Sequence, residues 1–278
     1  MSLNLGISTM VYYHENIEKL LPYLAEWQIK LIEIKPHIGH FEYQDINMID
    51  QLKKQLDHLN ILVKAIHMPI NGVDISHPQE YDRVRSIREI EKTIMVALRL
   101  GAKLIVIHPG GSCSSPDDRE KRMYHCVNSL TEILEFCQPW NIKLAIENTL
   151  PGRLGDRWEE IKQIIERIPS EDLGICFDSG HYFLNQKHDE RGGLNLDKEP
   201  INWQKYLLHM HIHDNDGKED LHLLPGGGCF PWVSLISYLK EIQYQGALII
   251  ELKEQLQLPQ YLDKIKDTFD QLEAFAKR

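Results

Sequence analysis

Six short apolar runs in this chain each end on a residue type that binds divalent metals. In order they are VKAIH at His67, KLIVIH at His108, LAIE at Glu147, ICFD at Asp178, LHMH at His211 and ALIIE at Glu251. By subtraction the intervals are 41, 39, 31, 33 and 40 residues, about one strand–helix unit each. In a (β/α)8 barrel the strand C-termini open on one mouth, where the chemistry is housed. Strands buried by helices on one side and by the barrel core on the other read as continuous Val/Ile/Leu runs, as these do. The pattern predicts an α/β fold, a (β/α)8 TIM barrel, in which six dispersed side chains converge on one point.

The remaining segments fit eight such units. Strands are expected at Leu3–Ser8, Leu31–Lys35, Ile61–His67, Lys103–His108, Ile142–Glu147, Leu173–Asp178, Leu207–His213 and Ala247–Leu252. Helices are expected at about Glu15–Trp27, Ile46–Leu59, Tyr81–Leu100, Arg119–Cys137, Trp158–Arg167, Trp232–Ile242 and Pro259–Lys277, with none assigned after the sixth strand. Gly101 and Pro169 act as stops. No linker or low-complexity stretch interrupts the series, so one TIM-barrel domain over residues 1–278 is expected. The polar run Asn185–Pro200 follows the sixth strand at the catalytic end and reads as a surface loop or a lid over the mouth. An open doubly wound sheet lacks support, because no GxGxxG or GxxxxGK follows any strand.

Composition narrows the partners. No run of about 18 apolar residues suggests a membrane span, and the start MSLNLGIS enters a strand without a basic and apolar leader. The five cysteines are scattered and form no CxxC pair, so reduced thiols in a cytoplasmic protein are expected rather than a cysteine zinc site. The net charge of -10 disfavours a nucleic-acid footprint, although a local basic patch is compatible with it. A homo-oligomer is compatible with all of this.

Glu147, Asp178 and Glu251 would share one mouth with Asp220 from the loop after the seventh strand. Like charges held close in a partly dry site are costly unless cations compensate. Mixed imidazole and carboxylate donors suit Zn or Mn, with Fe or Co also fitting, and argue against a pure Ca or Mg site. His181, one turn beyond Asp178, and the Asp220–His222 pair extend the ligand candidates to nine. His209, His211 and His213 share one face of the seventh strand by its period of two. Of these, His211 is favoured as the ligand, with His209 deeper and His213 nearer the rim.

The segments VIHPGG, AIENT, GICFDSGH and HIHDNDGKEDLHLLPGGG carry a resemblance to the xylose isomerase-like TIM-barrel superfamily. That superfamily, AP endonuclease family 2, includes sugar-phosphate isomerases and epimerases and the endonuclease IV group. Its single-metal epimerases imply Glu147, Asp178, His211 and Glu251 as ligands, with Glu147 and Glu251 as the acid/base pair. Endonuclease IV implies a cluster of three zinc ions: one on His67, His108 and Glu147, a second on Glu147, Asp178, His211 and Glu251, a third on His181, Asp220 and His222. One to three ions per chain follow from the two models. The resemblance to sugar enzymes also implies substrate contacts from Glu33, Lys35, Arg153 and His213, with His181 as a further one. This chain departs from both patterns. The epimerase arginine after the seventh-strand histidine is missing from HDNDGK, and KPHIGHFEY lacks the arginine that the endonucleases use to enter DNA. A small carbohydrate substrate processed by metal-assisted proton transfer is the leading expectation, and phosphodiester hydrolysis the alternative.

Overall fold

A computed structural model describes residues 3–186, 202–254 and 258–277. Eight parallel strands close in sequence order into a barrel: β1 Asn4–Ser8, β2 Leu31–Ile34, β3 Leu62–His67, β4 Leu104–Ile107, β5 Lys143–Glu147, β6 Leu173–Asp178, β7 Leu207–Ile212 and β8 Ala247–Ile250. The helices are α1 Leu21–Glu26, α2 Ile46–Leu59, α3 Glu80–Leu100, α4 Pro116–Cys137, α5 Trp158–Arg167, α6 Ser179–Asn185, α7 Trp203–Tyr206, α8 Trp232–Glu241 and α9 Leu258–Lys277. The TIM-barrel fold is as expected from the strand spacing.

Parity along the strands sorts their side chains into two sets. Ile105, Ile107, Leu144, Ile146, Ile175 and Phe177 join the large apolar cluster that also takes in the helices. The alternate positions Ala65, Leu104, Val106, Ala145 and Cys176 form a separate small cluster inside the barrel. The strand-end ligand types share parity with this inner set, so the period of two directs them into the mouth.

Differences from the expected elements have local causes. The first helix is split: a 3-10 turn covers Ile17–Lys19, and α1 starts only at Leu21 with Pro22 in its first turn. Proline has no N–H and is accommodated at a helix start rather than in an interior. Helix α4 begins three residues before the expected Arg119, because Ser115 caps it, its Oγ accepting from Asp118 N, and Pro116 follows. A short helix, α6, starts directly on Asp178, whose side chain caps it by accepting from His181 N at 2.7 Å. The stretch expected as a surface loop or a lid, Asn185–Pro200, lies outside the described residues apart from its first two positions, of which Asn185 ends α6. Among the described residues no helix is long and apolar enough to cross a membrane.

Candidate metal centre

The ends of β3, β5 and β6 are His67, Glu147 and Asp178 themselves, while His108 and Glu251 follow β4 and β8 by one residue. Register aligns Asp178 on β6 with His211 on β7. Asn148 locks β5 to β6: its Nδ2 donates to Asp178 O at 2.9 Å and its Oδ1 accepts from Asp178 N at 2.8 Å. That reciprocal pair holds Glu147 and Asp178 at a set spacing.

Four groups of potential ligand atoms, the atoms of each within 4.8 Å of one another, result; one of them, Glu33, His209 and His211, lies behind the mouth, and the other three line it. These three are His67, His108 and Glu147; Glu147, Asp178, His211 and Glu251; and His181, His213, Asp220 and His222. Glu147 belongs to two of them. Its Oε2 lies 3.1 Å from both His67 Nε2 and His108 Nε2, and its Oε1 lies 3.2 Å from His211 Nδ1.

A neutral imidazole has one donor nitrogen and one bare lone pair. In His67, His181, His211 and His222 the donor nitrogen is spent on the surrounding scaffold. His67 Nδ1 donates to Met68 O at 2.7 Å, His181 Nδ1 to Asn148 O at 2.9 Å, and His222 Nδ1 to Glu251 O at 2.8 Å. His211 Nε2 donates to the Glu33 carboxylate at 3.0 Å. For His67, His222 and His211 the other nitrogen then faces carboxylate oxygen: Glu147 at 3.1 Å, Asp220 at 3.0 Å, and Glu147 and Glu251 at 3.2 and 3.5 Å. A lone pair against a carboxylate is repulsive unless a proton or a cation lies between them. Donation of the remote N–H to a carbonyl or carboxylate is the arrangement that orients metal-bound histidines. The mixed donor set fits Zn or Mn.

Charge at the site follows its burial. Burial opposes ionisation of Glu147, but His211 and His108 hold its carboxyl well below the usual range. Burial likewise opposes ionisation of Glu251, and Lys35, His211 and His222 bring it well below that range. Burial pushes the His108 imidazole down to about 4, despite Glu147, so it is neutral near pH 7. For His211 burial disfavours the imidazolium, but Cys176 and the Glu33, Glu251 and Glu147 carboxylates push its pKa well above the ordinary value. In the metal-free protein these carboxylates therefore favour a protonated His211.

The third group depends on the loop between β7 and α8. Asp214 anchors it: backbone bonds of 2.8 Å run both ways with Leu223, and its carboxylate accepts from Asn215 N, Phe230 N, Gly226 N and Trp232 Nε1. This places Asp220 and His222 over the mouth. Burial raises the Asp220 pKa, but the His222 hydrogen bond and charge outweigh it, to about 2.

Three of the four expected substrate contacts are buried among polar partners. Glu33 is fully buried and accepts from two imidazoles, His209 Nε2 at 2.8 Å and His211 Nε2 at 3.0 Å, so it lies behind His211 rather than before a substrate. His213, expected near the rim, is also fully buried. Its ring stacks on His222 at 3.9 Å, its Nε2 lies 3.0 Å from Asp178, and only a glycine fits at position 180, where a Cβ would stand 1.9 Å from the ring. Lys35 is buried and its Nζ pairs with Glu251 Oε1. Arg153 lies in the loop after β5, partly buried, its backbone bridged to Ser112. Asn148, Gly180 and Asp214 were not singled out from the sequence. Their nearest signal is position alone, one residue past a candidate ligand or beside a histidine run.

The chain is similar to several known proteins. The family model described as a xylose isomerase-like TIM barrel matches residues 21–274. An uncharacterized protein of Methanocaldococcus jannaschii is 27% identical over 263 residues, 91% of this chain and 85% of its own length. A Bacillus subtilis (strain 168) protein named "Probable endonuclease 4" is 31% identical over 188 residues, 59% of each chain. Among solved structures, a D-tagatose 3-epimerase-like protein is 25% identical with a TM-score of 0.83, covering 98% of this chain and 99% of that one. The IolI protein with a bound zinc atom is 20% identical with a TM-score of 0.77, covering 99% of this chain and 95% of that one, a likeness of fold.

Proposed function

The chain belongs to the xylose isomerase-like TIM-barrel family, and we propose that it is a metal-dependent isomerase or epimerase of a small sugar or sugar phosphate. The observation that carries this reading is the set of imidazole nitrogens that face Glu147, Glu251 and Asp220 while the other nitrogen of each ring is held by the scaffold. Likeness over nearly the full length to a D-tagatose 3-epimerase-like structure supports a sugar substrate.

Glu147, Asp178, His211 and Glu251 would hold a divalent ion, which when bound withdraws electron density from a substrate oxygen. The chain's own groups handle the proton. Glu147 and Glu251 stand on β5 and the end of β8, three strands apart around the barrel. Both are held ionised before reaction, as a proton acceptor must be. One accepts a proton from the carbon beside the carbonyl. Return by the same carboxylate to the neighbouring carbon isomerises; delivery to the original carbon from the other carboxylate, which takes its proton from solvent while the first releases its own there, inverts the carbon. Lys35 keeps Glu251 charged, and Asn148 keeps Glu147 in line with Asp178.

The test is incubation of Mn- or Zn-loaded protein in heavy water with ketopentoses, ketohexoses and their phosphates. Deuterium at the carbon adjoining the carbonyl is expected in at least one of them; its absence from all would overturn the reading. Lys35→Met tests the charge arrangement. Glu251 is active when ionised, above a pKa that Lys35 depresses, so removing Lys35 raises that pKa. The acid limb of the kcat/KM profile is expected to move to higher pH, and an unmoved limb would remove Lys35 from the mechanism.

The group His181, His213, Asp220 and His222 favours a second reading, a multi-zinc phosphodiesterase like endonuclease IV. A duplex with one abasic site distinguishes it: nicking, with close to three metals per chain, would replace the sugar reading, whereas a content near one per chain speaks against it.

A further inference from the structure

We infer that Glu33 is a positioning residue for the metal: its buried carboxylate holds His211 in the tautomer that turns Nδ1 toward the ion. The inference rests on the reading above, in which His211 is one of four ligands. Glu33 comes from β2 and reaches His211 on β7 across the interior of the barrel. Its Oε2 accepts from His211 Nε2 at 3.0 Å and from His209 Nε2 at 2.8 Å, and its Oε1 has no partner among the described residues. All three residues are fully buried. An ionised carboxylate enclosed in this way is tolerated only through the donors it keeps, so Glu33 and the two N–H groups hold one another in place.

Glu33, His209 and His211 are themselves close enough to bind a cation. Occupation there would take the Nε2 lone pair of His211 and leave Nδ1–H pointing at Glu147, Glu251 and Asp178, which lie 3.2, 3.5 and 3.8 Å away. One ring cannot serve both sides with its lone pair. The carboxylate behind selects the face in front. His209, two residues before His211 on the same strand face, anchors the same oxygen, so Glu33 cannot swing away without stranding a second buried imidazole.

The experiment uses the full chain and Mn or Zn alone. Glu33→Gln preserves size and removes the charge. Metal affinity, measured by competition with a chelator at fixed pH, is expected to weaken about 10- to 100-fold, while the melting temperature of the metal-free variant stays near that of the wild type. Nitrogen-15 spectra of the zinc-loaded wild type give a second readout that needs no variant to fold. They are expected to show His211 with a protonated Nε2 and a metal-shifted Nδ1. Equal affinity in Glu33→Gln, or a wild-type His211 that binds through Nε2, overturns the assignment to Glu33 and leaves the metal reading standing. A wild-type protein that takes up neither metal overturns both.

Discussion

Glu147→Gln is expected to lower turnover by a factor on the order of 10²–10⁴, the range that a positioned acid/base group contributes. The change is nearly isosteric, so packing survives. The Asn148–Asp178 clamp involves none of the Glu147 side-chain atoms and stays intact. What is lost is the one carboxylate shared by two ligand groups. His67 and His108 would face an amide in place of a charge, and His211 would keep only Glu251 and Asp178 before its Nδ1. Metal content per chain and turnover of the metal-saturated variant measure the two consequences separately. Turnover equal to the wild type at full metal occupancy would sink the role given to Glu147.

Asp214→Ala is expected to cost about 3–5 kcal/mol of stability. Four N–H groups lose their acceptor: Asn215 N and Phe230 N at 2.9 Å, Gly226 N at 3.0 Å and Trp232 Nε1 at 2.8 Å. Each buried donor left unpaired costs about 1–3 kcal/mol, and entry of water recovers part of the sum. The loss would also be directional. Asp220 and His222 ride on this loop, so any ion held by their group should be lost before one held by the Glu147 group. Urea unfolding gives the first quantity and metal stoichiometry the second. A drop below about 1 kcal/mol, within the range of one ordinary hydrogen bond, would show that the loop is held by something else.

The barrel was legible because two independent signals agree in this chain. Continuous apolar runs mark strands, and their spacing of one strand–helix unit marks the order. Convergence of His67, His108, Glu147, Asp178, His211 and Glu251 then follows from parallel closure alone. Depth along a strand is a different matter. Residues of equal parity share a face but stand about 6.6 Å apart in height, and nothing in a string of letters says which one reaches the opening. That is why Glu33 reads as a substrate contact yet lies behind His211, and why His213 reads as a rim residue yet lies fully buried under His222. Helix α6 was missed because its cap, Asp178, is also a strand end and a ligand candidate, and one residue cannot advertise three roles. Asp214 was hidden for a related reason. Its partners lie up to 18 residues downstream, in a loop whose course has no periodicity to read.

The inner layer of the barrel is built of modest side chains, among them Ala65, Ala145 and Cys176. Cys176 pairs in register with both Glu147 and His209, so the hydrocarbon floor and the polar site meet at one residue. Glu33, His209 and His211, all fully buried, form an ionic group that adjoins this floor through Cys176. Floor and site therefore form a single jigsaw. Ala145 is fully buried within this small cluster, so an added methylene there would overpack the floor of the site. New chemistry on this scaffold is thus open at the loops around the rim and closed at the centre, where altering a spectator would move a ligand it never touches.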